Sequence, residues 1–230
     1  MWNENRYEWV RMPSWWMKGD EGLSLADFSP RDKGASIAAL MLYIMLCTRA
    51  VQKRTEEFQV GTARVTYDDI ADATGLSRAM IRKAVTKLEA NGMIRVKSYR
   101  KQNIYEIVSH DVSPWAKLPK KHLYGISKEG QIGVFVRDFH LRAKNELNAL
   151  KLYCVLLAFR DNDSNVVFIG YEAISEYTGI VRNEIRSAIS FLVTHDLIHL
   201  DKVVKNGVHR ANRYEIRGVS HIHAGNRSEK

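Results

Sequence analysis

The 230-residue chain has only two cysteines, Cys47 and Cys154, each inside an apolar run expected to be helical. Buried free thiols packed as small hydrophobes are the expected state, and a reducing, cytoplasmic compartment follows. No apolar core opens the chain, because Asn3, Glu4, Arg6, Glu8 and Arg11 interrupt it, so no secretory signal is read there. The apolar run 37–47 is too short to span a bilayer and reads as a buried helix. There is no phosphate-binding loop, no zinc-ligand spacing of Cys or His, no metalloprotease helix and no glycine-flanked nucleophilic serine. His221 and His223 fall in a polar tail that is expected to be flexible rather than metal-binding. The expectation is a protein that is not an enzyme, takes no cofactor and enters no membrane.

Positive charge is in excess. Lys and Arg number 35 against 26 Asp and Glu, giving a formal net charge of +9, and the sequence pI is about 9.5. A chain this basic seeks polyanions, of which nucleic acid is the commonest. The apolar fraction of 45% is ordinary and suffices for two small cores.

The chain is organised around residues 67–94. Thr66 and Asp69 have the spacing of a capping box, and Ile70, Ala71 and Leu76 give a short helix its apolar side. Thr74-Gly75 reads as a turn, with glycine where positive φ is needed. Ser77 suits the cap of a second helix with Ile81, Ala84, Val85 and Leu88 on one buried stripe. Asn91-Gly92 reads as its stop. The opposite face carries Arg78, Arg82 and Thr86 in a row, with Ala79 and Lys83 beside it. Two arginine forks at i, i+4 near a helix N-terminus suit phosphates or guanine edges in a major groove. A hairpin should follow, with Lys97, Tyr99, Arg100, Lys101, Gln102 and Asn103 at or near its tip and Ala63 to Thr66 supplying a third strand.

Adding 104 to each number exposes a second copy at residues 171–198. Arg78, Ile81, Arg82, Ala84 and Leu88 match Arg182, Ile185, Arg186, Ala188 and Leu192, and Thr74-Gly75 matches Thr178-Gly179. Upstream, Leu42-Tyr43 matches Leu152-Tyr153, and the segment 9–13 matches 115–119. A period this long implies a domain per repeat. The expected division is a first domain at 1–110, a second at 111–218 and a tail at 219–230. The second groove face is Arg182, Asn183, Arg186, Ser187 and Ser190. It lacks the serine cap and Lys83 and carries Glu184, so this helix should hold DNA less strongly. A longer basic wing with Lys202, Lys205, Asn206, His209, Arg210, Asn212 and Arg213 is expected to compensate. The N-terminal segment, with Trp2, Trp9, Trp15 and Trp16, is read either as a core strand beside the wing of its own domain or as a dimer or partner surface.

The Trp-Val-Arg-Met-Pro opening, the long apolar helix and the helix-turn-helix ending Leu-Glu-x-Asn-Gly-Met-Ile resemble the DNA-binding part of plasmid and phage replication initiators. They are also similar to bacterial winged-helix transcription regulators. The resemblance covers residues 9–108 and, by repetition, 115–217. It implies a mainly α fold with small β wings (α+β), built from two tandem winged helix-turn-helix domains related by internal duplication. It further implies sequence-specific binding of double-stranded DNA in the cytoplasm, at the nucleoid. The implied readers are Ser77, Arg78, Ala79, Arg82, Lys83 and Thr86 with Lys97, Tyr99, Arg100 and Lys101 on the first wing. In the second copy they are Arg182, Asn183, Arg186 and Ser187 with Lys205, Asn206, His209 and Arg210. A protein-interaction subunit of a nucleoprotein assembly is the second expectation, and a single-strand or RNA binder using stacked aromatics such as Tyr99 the third.

Overall fold

A computed structural model describes residues 9–18, 23–57, 59–99, 102–112, 114–124, 133–205 and 208–219. Trp2, Arg100, Lys101, Asn206, Gly207 and the tail from Ser220, with His221 and His223, lie outside the described residues. The chain is mixed helix and small sheets, and one series of elements occurs twice in order.

The first series begins where Ser29 caps the 3-10 turn Pro30–Asp32, which leads into α1 (Lys33–Arg49). Strand β2 (Thr62–Val65) follows, then α2 (Tyr67–Thr74), α3 (Arg78–Ala90), β3 (Ile94–Tyr99) and β4 (Gln102–Ile107). The capping box forms as spaced: Thr66 Oγ1 accepts from the Asp69 amide at 3.1 Å and Asp69 accepts from the Thr66 amide at 2.7 Å. Ser77 Oγ accepts from the Met80 amide at 3.3 Å at the start of α3. Gly75 takes φ 70°, the left-handed conformation that turns α2 into α3. The sheet order is β2-β4-β3, all antiparallel, so the hairpin and the short first strand make one wing.

The second series is α6 (Lys144–Phe159), β6 (Val166–Phe168), α7 (Tyr171–Thr178), α8 (Arg182–Thr194), β7 (Ile198–Lys205) and β8 (Val208–Ile216). Its sheet order is β6-β8-β7. The hairpin strands β7 and β8 are longer than β3 and β4, with a register shift at Val203/Val204. Gly179 repeats the left-handed turn at φ 67°. Asp196 takes the place of Gly92 with φ 54°, and Leu197 N–H closes onto the Leu192 carbonyl as Met93 N–H closes onto Leu88.

Between the series lie β5 (Trp115–Leu118), α4 (Lys120–Tyr124) and α5 (Val134–Asp138). The N-terminal strand β1 (Val10–Pro13) does not join the wing of its own half. It pairs antiparallel with β5, its sequence counterpart from the other half. The side chains explain the choice. Trp9 stacks on Trp115 with ring centroids 5.8 Å apart, a pairing available only across the halves. Trp16 is buried, donating to the Pro13 carbonyl at 3.1 Å and packing on Phe28 and Tyr43.

The two small cores expected from composition are one. Residues 35–48 of α1 are buried on every side, as are residues 146–157 of α6, because the two helices pack against one another. A helix that is apolar all round needs cover all round. Each half supplies the other with the cover that a lone domain would leave to water, and the apolar cluster runs unbroken from Val10 to Val219. Both cysteines are free and buried within it, and burial pushes their thiols up. Among the described residues, no helix is long and apolar enough to cross a membrane.

Candidate nucleic-acid interface

Helix α3 packs its Ile81, Ala84, Val85 and Leu88 against α1 and leaves Arg78, Ala79, Arg82, Lys83 and Thr86 exposed, with Ser77 exposed at the cap. Helix α8 packs Ile185, Ala188, Ile189 and Leu192 against α6 and leaves Arg182, Asn183, Arg186, Ser187 and Ser190 exposed. The four arginines therefore stand clear of the core, two on each helix, near an N-terminus whose amides favour anions.

Two of those arginines carry a partner that periodicity did not reveal. Arg78 donates to Asp68 at 2.7 Å, and Arg182 donates to Glu172 at 2.9 Å. Residues 68 and 172 correspond in the two copies, so the same intramolecular pair is built twice. Both pairs are solvent-exposed and add little to stability, but each holds its guanidinium over the first helix of its unit. Among the described residues, Arg82, Lys83 and Arg186 have no ion-pair partner. The signal for the missed acids was an Asp or Glu at the second position of each first helix, ten residues before the arginine.

Glu184 does not face outward as a repulsive charge on the groove side. It turns back to α6, accepting from Lys144 Nζ at 2.6 Å and from Asn148 at 3.0 Å. Lys144 first, then Asn148, holds its carboxyl below the ordinary range. The expected penalty on the second helix is therefore largely neutralised within the protein. The missing serine cap is real: Val181 occupies that place without a side-chain hydrogen bond and is 56% exposed.

On the first wing, Lys97 is exposed but bound to Glu106 at 3.0 Å, and Arg95 binds the same carboxylate at 3.3 Å. Lys97, ahead of Arg95, keeps Glu106 below its ordinary pKa. Tyr99 ends β3, opposite Gln102 at the start of β4, and Arg100 and Lys101 lie outside the described residues. On the second wing, Lys202, Lys205, His209 and Arg210 lie on β7 and β8, with Lys205 paired to Val208. Arg213 is not part of a free basic surface. It binds Asp201 at 2.5 Å, and its second nitrogen lies 3.8 Å from Glu215. The Lys117 ammonium lies over the Trp9 ring at 5.0 Å and belongs to the β1–β5 seam.

Residues 60–95 match a family model described as winged helix-turn-helix DNA-binding, and residues 146–198 match one described as helix-turn-helix domain. The first match spans β2, α2, α3 and the start of β3. The second spans most of α6 and continues through α8 to the start of β7. No curated protein and no solved structure matches the chain. The two matches support a winged helix-turn-helix DNA-binding protein.

Proposed function

We propose that this chain is a sequence-specific double-stranded DNA-binding protein, working as a transcription regulator or a replication-origin binder in a bacterial, plasmid or phage setting. The observation that carries the proposal is the outward row of Arg78, Arg82 and Lys83 on α3, with its counterpart Arg182 and Arg186 on α8. Each row is backed by an apolar stripe fixed to a buried helix, which makes a rigid reading head. In this reading the two winged units are tandem domains that descend from an internal duplication, a view supported by the gapless match at an offset of 104. The role is binding rather than catalysis, at the nucleoid in the cytoplasm.

A partner-docking role for the tryptophan-rich N-terminus, as a homodimer contact or as part of a nucleoprotein assembly, is the weaker reading. Trp16 is buried and Trp9 is stacked on Trp115, so those two rings are engaged within the chain. The deciding experiment is selection of bound duplexes from a random pool, followed by gel shifts comparing the selected duplex with its single strands and the matching RNA. A recovered motif with duplex preference supports the proposal. Recovery of no motif, or preference for single strands, sinks it.

A further inference from the structure

Tandem copies along a chain invite the idea of a direct-repeat target, but the contacts between the halves follow another rule. We propose that the two recognition helices read an imperfect inverted repeat in one duplex, a reading that rests on the duplex-binding function proposed above.

The strand pairing, ring contacts and turn contacts between the halves are reciprocal. Sequence correspondence carries residue 11 to 117, and Arg11 and Lys117 face one another directly in the β1–β5 pair. Val10 opposes Leu118 and Met12 opposes Ala116; the correspondence carries Val10 to Ala116 and Met12 to Leu118, so each pair is the image of the other. The rings repeat the rule. The Arg11 guanidinium lies over Trp115 at 5.1 Å and the Lys117 ammonium over Trp9 at 5.0 Å, while the two indoles stack 7° from parallel. The helix-turn-helix units obey it too. α5 braces α2, and the 3-10 turn Leu25–Asp27 braces α7. At the turns themselves, a Cβ on Gly75 would lie 3.6 Å from Val136, and one on Gly179 would lie 3.1 Å from Ala26.

A translation along the chain would set one surface of the first half against a different surface of the second. It cannot produce a contact and its mirror partner together, whereas a two-fold axis produces both. That axis passes between Arg11 and Lys117. Because α3 is fixed to α1, α8 to α6, and α1 packs on α6, the same rotation carries α3 to α8. Two heads related by a two-fold see the two strands of a duplex in opposite sense, so their half-sites are inverted, with centres about one helical turn, ~34 Å, apart.

The heads are alike but not identical, which makes the repeat imperfect. Arg78 and Arg82 correspond to Arg182 and Arg186, and these shared forks define a common guanine-containing motif. Ala79, Lys83 and Thr86 are replaced by Asn183, Ser187 and Ser190, so the remaining positions of the half-sites differ and give the complex a direction.

The test uses the full chain. After selection from a random pool, gel shifts compare duplexes with the two selected half-sites inverted, direct at the same spacing, or single. The inverted arrangement should bind at least about tenfold more tightly than either other. Direct repeats binding as well or better overturn the inverted-repeat inference and leave duplex binding intact. No duplex exceeding a scrambled control overturns both. The triple variant Asn183→Ala, Ser187→Lys, Ser190→Thr, altered only at exposed positions, should shift preference toward a symmetric inverted repeat of the first half-site. An unchanged preference overturns the assignment of the unlike positions.

Discussion

The Lys151 ammonium, on a fully packed turn of α6, donates to the carbonyl oxygen of Thr178 at 3.1 Å. Thr178 is the last residue of α7, so a buried cation closes the C-terminus of the first helix in the second reading head, where helix carbonyls lack partners and the dipole favours positive charge. At the corresponding place in α1 stands Met41. The two halves therefore share a frame but fasten it differently.

Burial lowers the Lys151 pKa to about 8 from an ordinary 10.5. Below pH 8 both folded and unfolded chains hold the proton, and the folded chain bears the full desolvation cost, about 3 kcal/mol from that shift. Between pH 8 and 10.5 the folded form sheds the proton and the cost fades. Relative to Lys151→Met, the natural chain should gain stability as pH rises through this window. Urea unfolding of both proteins at several pH values checks it; parallel curves would contradict it.

His110 acts in the same sense, in an acid window. It is buried beside Gln52 and Gly61, and burial first, then the Arg11 charge, lowers its pKa to about 4. As pH falls from 6.5 to 4 the unfolded chain takes up a proton that the native site refuses. Stability should fall by about 3 kcal/mol over that window from this group and change no further below it. A His110→Leu variant should lose most of that acid limb, as read from unfolding midpoints across the same range.

Because α1 and α6 bury one another, the halves should not unfold separately. Tryptophan fluorescence and far-ultraviolet circular dichroism should give coincident denaturant transitions. Residues 1–110 produced alone should be largely unfolded or self-associated, since one face of α1 would meet water. Ile81→Ala, at the α3–α1 contact, should cost about 2–5 kcal/mol and shift that single transition. Two resolved transitions, with the variant moving only one, would show independent halves.

The local grammar of the heads was legible because it is carried by near neighbours. Thr66 with Asp69, Ser77, and Gly75 each act within a few residues, and the apolar stripe of α3 is a property of one helix. The seam was not legible in the same way. Pairing β1 with β5 joins residues that are distant in sequence, and nothing local distinguishes that partner from the nearer wing. The absence of a polar face on α1 was the available clue, since a helix apolar on all sides demands a second neighbour. Glu184 and Arg213 were misread for a related reason. A charged side chain on a predicted outer face can still turn toward a partner, and Lys144 and Asp201 supply those partners from elsewhere in the fold.

The paired arginines and the unpaired ones should differ when DNA binding is measured. Arg82 is exposed and has no ion-pair partner among the described residues, so Arg82→Ala should leave the fold intact and weaken the selected duplex by about 1–3 kcal/mol if it reads a guanine. If it holds a phosphate instead, the loss should be equal on all duplexes and the salt dependence should drop by about one phosphate's worth, ~0.9 in logarithmic slope. Asp68 and Glu172 place a negative charge beside Arg78 and Arg182, where a phosphate backbone would compete for the same forks. Removing that charge with Asp68→Asn and Glu172→Gln should strengthen binding to scrambled duplex more than to the selected one, narrowing the ratio between them. Gel shifts on both duplexes at two salt concentrations read the ratio directly. A double variant that binds both duplexes more weakly would mean the acids orient the arginines for reading rather than restrain them.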